Sequence, residues 1–160
     1  MQVYVAVVGA GQVRGEESLT DDAEEIGRLL GLAGAVVVTG GLGGVMEAAC
    51  RGARSSGGTT LGILPGNHRG DANPWVQWAV ATGLGEMRNA LVVSAADAVI
   101  AVGGEYGTLS EVGFALKLGR PVVGLRTWSL SRPGGHLDPG VLVAADPPGA
   151  VSMALAAGQG

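Results

Sequence analysis

Short, wholly apolar runs that stop at glycines recur along this chain. VYVAVV runs into GAG at 3–11, AVVVT into GG at 35–41, TTLGIL into PG at 59–66, and AVIAV into GG at 98–104. Runs this short and this apolar have no polar face to turn to water. Each reads as a strand covered on both sides, which is the condition of a parallel sheet. Between them lie helical patterns, at 20–34, 44–58, 86–97, 108–119 and 147–158. Further strands are expected at 121–125 and 141–145, and a short one within 76–85. Strand and helix alternating in this way give an α/β fold: one doubly wound, Rossmann-like domain over residues 1–160, with a mostly parallel sheet and helices on both faces.

A length of 160 residues suits one such domain. The 30 glycines are not low complexity, because the segments between them are periodic. The helix over 20–34 carries Ile26, Leu29, Leu30 and Ala33 as an apolar stripe, with Thr20 as its expected cap.

Charge narrows the partners. The net charge is −4 and the basic residues are scattered singly, so a nucleic-acid surface is not expected. Cys50 stands alone, and His68 and His136 lie in separate loops, so neither a disulfide nor a metal site is expected. No apolar run is long enough to span a bilayer, and VYVAVVG is a strand rather than a signal peptide. A cytoplasmic protein without membrane contact is the expectation.

In doubly wound folds ligands bind beyond the carboxyl ends of the strands. The loops expected there are GAGQ, TGGLGG, LPGNH, ATGLGEMR and VGGEYGT. A dinucleotide fingerprint fails in GAGQVR, because Arg14 stands where the third glycine belongs. No acid follows the second strand to hold a ribose. A P-loop fails too, since the only lysine is Lys117, late in a helix. Lys117 is equally ill placed for a Schiff base, and no cofactor is expected. What remains is an anion held by glycine amides at helix starts. Any one loop is explained by its turn alone; several at one sheet edge point to a ligand. Gly9, Gly11, Gly40, Gly41, Gly43, Gly44, Thr82, Asn89, Gly103, Gly104, Gly107 and Thr108 are the candidate contacts for a small phosphorylated ligand.

Two charged residues stand beside these loops. Thr108 and Glu111 have the spacing of a capping box, which by itself accounts for both. Glu111 would still project beside the glycine loop as a candidate catalytic carboxylate. Arg88 is either a surface residue paired with Glu86 or Asp97, or a ligand contact. Tyr106 stacks on a base or packs, and Trp75 and Trp78 form an aromatic wall, a subunit contact or part of the core.

Two blocks resemble a known family. TGGLGGVMEAA is similar to the GGGxxGLM motif of the lonely-guy family, long labelled lysine decarboxylase-like. RNALVVSAADAVIAVGGEYGTLSE resembles its second block, which runs from an arginine to PGGxGTxxE. Arg88, Asp97, Gly104, Gly107, Thr108 and Glu111 fall into that pattern without a gap, and the resemblance covers about residues 1–125. It implies a Rossmann-like homodimer, or a higher homo-oligomer, that hydrolyses the N-glycosidic bond of nucleoside 5′-monophosphates. Arg88 and Glu111 would be its catalytic pair, and the glycines with Thr108 its phosphate and ribose cradle. The chain departs from the pattern at Gly103 (a proline in the motif), Glu105 (a glycine) and Asn89 (a lysine in active enzymes). The form TGLGEMRN with GGxxGTLSE is closer to a sister branch, which includes molybdenum-cofactor carrier proteins. The alternative is therefore a non-catalytic carrier of a phosphorylated heterocycle.

Overall fold

A computed structural model describes all 160 residues. Its strands are β1 (Tyr4–Gly9), β2 (Val36–Thr39), β3 (Thr59–Leu64), β4 (Trp78–Ala81), β5 (Ala98–Val102), β6 (Val122–Leu125) and β7 (Val141–Val143). Its helices are α1 (Glu17–Leu32), α2 (Val45–Ser55), α3 (Asn89–Ser94), α4 (Tyr106–Lys117) and α5 (Pro147–Gly158). All seven strands form one parallel sheet in the order β4-β3-β2-β1-β5-β6-β7. This is the expected Rossmann-like α/β architecture.

Alternation along the strands builds the two layers. Val5 and Val7 of β1 point to one face, where α1, α2 and α5 supply Ile26, Leu30, Ala49 and Val151. Ala6 and Val8 point to the other, against Val92 and Val93 of α3 and Val112 and Ala115 of α4. Each fully buried Val, Leu or Ile contributes roughly 1.5–3 kcal/mol of transfer free energy. On the first face α1 and α2 run very close. A Cβ on Gly27 would overlap the Ala49 carbonyl, and one on Gly52 the Glu24 carbonyl.

The helix starts differ from expectation at α1, α3 and α4. Thr20 does not cap α1, which begins at Glu17; the Thr20 hydroxyl donates to the Glu17 carbonyl at 2.7 Å. Burial of Leu19 draws that earlier segment onto the sheet and into the helix. Nor do Thr108 and Glu111 form a capping box. Helix α4 starts at Tyr106, with Glu105 extended before it and making no side-chain cap. Thr108 therefore lies within the first turn, and Glu111 one turn further in, buried. The expected helix over 86–97 is shorter, a 3-10 turn at Gly85–Arg88 leading into α3.

The sheet order reverses between β1 and β5. Those two strands are direct neighbours, with Gly9 in register with Val102. The loops that leave them emerge side by side, and this is where a doubly wound sheet opens a crevice.

Candidate functional site

The crevice holds a cavity of about 290 Å³. Its wall includes Gly9 and Gly11 after β1, Gly40 after β2, Arg88 and Asn89 at the start of α3, and Gly107, Thr108 and Glu111 of α4. Thus half of the candidate contacts, from four separate loops, meet in one place together with Arg88 and Glu111. Gly103 and Gly104 line a larger cavity of about 880 Å³ beside it. The two share Ala10, Gln12 and Glu105.

Other candidates do not reach either cavity. The Thr82 hydroxyl is consumed by its own turn, donating to the Leu64 carbonyl at 2.6 Å and accepting from the Leu84 amide at 3.2 Å. Gly41, Gly43 and Gly44 shape the turn into α2 rather than the cavity wall. At the start of α2 the Val45 amide is already spent, donating to the Ala10 carbonyl at 3.0 Å. At the start of α4, which borders the site, the amides of Tyr106, Gly107 and Thr108 come before the first amide to donate within the helix, that of Leu109 to the Glu105 carbonyl at 3.0 Å. Trp75 and Trp78 are not core residues, at 38% and 62% exposure.

Arg88 is the most unusual group in the cavity. It is 5% exposed, yet it makes no ion pair with Glu86, Asp97 or any other acid. Asp97 lies at the opposite end of β5, where its carboxylate accepts from the Tyr4 amide at 2.8 Å. The guanidinium is held by the Asn89 side-chain carbonyl and, at 3.5 Å, by the Gly40 carbonyl. Its Nε has no partner. Any side chain at Gly40 would meet Arg88 Nη2 at 2.7 Å.

Glu111 shares the cavity at 7% exposure. Burial pushes its carboxyl up to about 8; the Arg88 guanidinium pulls the other way, and the charge of Glu86 adds to the rise. At neutral pH Glu111 is mostly protonated and leaves the charge of Arg88 unmatched. A buried cation without a counter-ion is costly until an anion meets it. The site is thus electrostatically incomplete and suited to an anion. Glycine amides and the positive end of α4 act in the same direction.

Asn89 is tied to α4 in turn. Its Nδ2 donates to Ser110 Oγ at 3.3 Å, and Ser110 Oγ donates to the Gly107 carbonyl at 2.6 Å. The sequence does not single out Ser110, because an isolated serine on the first turns of a helix has no distinguishing neighbours along the chain. The residues Arg126, Thr127 and Trp128 escaped as well, lying in a segment that reads only as loop. Trp128 Nε1 donates to the Glu105 carbonyl at 3.3 Å, and its ring meets Tyr106 at 5.7 Å between centroids, tilted by 35°. The Thr127 hydroxyl donates to the Gly103 carbonyl.

Gly103 marks a real departure from the lonely-guy pattern. Its φ is +54° and its amide donates to the Leu125 carbonyl at 3.1 Å. Proline, which that motif has here, can satisfy neither condition.

Comparison with known proteins agrees with the fold. The chain is 42% identical over 124 residues to an uncharacterized protein of Archaeoglobus fulgidus, covering 78% of this chain and 80% of that one. It is similar in structure to the molybdenum cofactor binding protein of Rippkaea orientalis, with a TM-score of 0.86 and 32% identity over 98% of this chain and 97% of that one. The molybdenum cofactor carrier protein of Chlamydomonas reinhardtii gives a TM-score of 0.81 at 32% identity, covering 98% and 99%. The SLOG cluster4 family model matches residues 2–147, and the chain belongs to that family.

Proposed function

We propose that this protein binds a small phosphorylated heterocycle and carries it without turnover, with molybdenum cofactor as the leading candidate cargo. The observation that carries the reading is Arg88, buried and without a counter-ion in a cavity lined by glycines and the start of α4. A phosphate there gains the guanidinium fork, the helix amides and a donated hydrogen bond from neutral Glu111. The likeness to a molybdenum cofactor binding protein and a carrier protein supports the same choice. Native mass spectrometry of the purified protein tests it. A retained ligand of fixed mass is expected, and the same spectrum reads whether the protein is a homodimer. Recovery of only free chain, with no affinity for phosphorylated pterins or nucleotides, would overturn the reading.

A second reading, hydrolysis of nucleoside 5′-monophosphates, rests on Arg88 and Glu111 facing one cavity. An oxocarbenium-like transition state needs an anionic carboxylate beside the ribose. Glu111 protonated at neutral pH is a poor choice for that role, though it has a proton to give to a leaving base. Incubation with AMP, GMP, CMP and UMP decides between the two, because only hydrolysis releases free base and ribose 5-phosphate.

A further inference from the structure

We propose that Glu105 selects the heterocycle, reading a paired N–H and NH₂ edge of a ring that lies in the larger cavity against Trp128. The inference rests on the reading of the smaller cavity as the anion site and adds what the other end of the ligand is.

Glu105 sits where the two cavities meet and lines both. Its side chain is exposed and makes no hydrogen bond or ion pair within the chain. A carboxylate next to a phosphate site opposes binding unless it has another task. Its backbone is fixed, since the Glu105 carbonyl accepts the Trp128 indole N–H at 3.3 Å. The same contact fixes the indole, which Tyr106 supports from the side. The larger cavity therefore carries a positioned aromatic plate with an unpartnered carboxylate beside it.

The charges around the rest of that cavity come in both signs, Arg14 and Glu16 both lining it, which suits a neutral, hydrogen-bonding ring better than a second phosphate. The Arg126 guanidinium is already taken by Asp22 and by the Ser18 carbonyl. Gln12, Ser18 and Thr127 are neutral polar groups, and Leu19 and Val13 add apolar surface. The smaller cavity, at about 290 Å³, stands at the low end for a whole small-molecule ligand. A ligand anchored at Arg88 thus extends past Glu105 into the larger cavity.

An ionised carboxylate only accepts hydrogen bonds. It matches an edge that offers two adjacent donors, the ring N–H and amino group shared by guanine and the pterins. Adenine offers no such pair, and hypoxanthine offers only one of the two donors.

Binding of inorganic phosphate, AMP, IMP, GMP and neopterin monophosphate to the full chain, measured by calorimetry, tests this. GMP and neopterin monophosphate are expected to bind at least about tenfold more tightly than AMP, with IMP between. Whichever of the first two binds more tightly identifies the source of the ring. In Glu105→Gln that preference is expected to collapse while inorganic phosphate binds as before or more tightly. Trp128→Ala is expected to weaken every ring-bearing ligand and to spare inorganic phosphate. Equal binding of AMP and GMP by a protein that still binds phosphate would overturn the role of Glu105 alone. A preference that survives Glu105→Gln would do the same. Failure of phosphate and every nucleotide to bind would overturn both this inference and the anion site beneath it.

Discussion

Arg88 and Glu111 are buried in the wall of one small cavity and do not form an ion pair. The absence of that pair governs what the site does, because it leaves a guanidinium charge for something from outside. Replacing Arg88 with methionine keeps much of the volume and removes the charge. Inorganic phosphate and phosphorylated ligands are expected to bind about 10- to 100-fold more weakly to Arg88→Met. Urea unfolding should show stability unchanged or raised, since an unmatched buried charge is gone. A large loss of stability in Arg88→Met would mean that the arginine serves the fold.

Glu111 gives the site a dependence on pH with a definite sign. Its carboxyl rises from 4.5 to about 8 in the fold, so folding favours the protonated form. The stability this confers is whole below about pH 4.5 and is lost as the pH climbs through 8. Glu111→Gln imitates the neutral form at every pH. It should match the parent protein near pH 5 and exceed it at pH 9 by on the order of a few kcal/mol. Phosphate affinity should fall from pH 7 to pH 9 in the parent, where ionised Glu111 begins to satisfy Arg88, and stay level in Glu111→Gln. Identical denaturation curves for the two proteins across that range would remove the case for a neutral Glu111.

Asn89 accepts from Arg88 and donates to Ser110, so it aims the guanidinium. Asn89→Asp places a carboxylate beside Arg88 and supplies the missing counter-ion. Phosphate affinity is expected to drop about tenfold or more, with stability maintained. Ser110→Ala should give a smaller loss. Calorimetric titration of both variants checks the order.

Gly103→Pro brings the loop one residue closer to the lonely-guy motif in sequence but not in structure. The positive φ and the bond to the Leu125 carbonyl are both lost. Destabilisation of about 3 kcal/mol or more is expected from chemical denaturation. A stable Gly103→Pro protein would show that this loop has a second conformation.

Gly52→Ala tests the close approach of α1 and α2, because the added methyl overlaps the Glu24 carbonyl. A loss of about 1–3 kcal/mol is expected from thermal or urea unfolding, with ligand affinity unaffected at saturating folded protein.

The sheet and its helices were legible because strands buried on both faces have no other reading, and glycines mark where they stop. The last helix, Pro147–Gly158, is found where its sequence pattern puts it. The helix starts were less legible. Thr20 and Thr108 have the chemistry of caps, but tertiary burial of Leu19 and the turn at Gly103 and Gly104 start both helices earlier. In the candidate site, a shared sheet edge and motif spacing picked out Arg88, Glu111, Gly107 and Thr108, which the fold brings into one cavity wall. The Thr82 hydroxyl is spent locally and the first amide of α2 is answered by Ala10, contacts that no local pattern announces. Trp128 and Ser110 were invisible because their importance comes from what lies across space from them.

The register that pairs Gly9 with Val102 has a consequence for how the protein acquires its ligand. The cavity draws on the turns after β1, β2 and β5, segments far apart along the chain that adjoin only when both halves of the sheet are joined. No fragment or half-folded chain presents the anchor, the amides and the aromatic plate together. Capture of the ligand and closure of the sheet are thus coupled, and every bound ligand shifts the balance toward the finished fold.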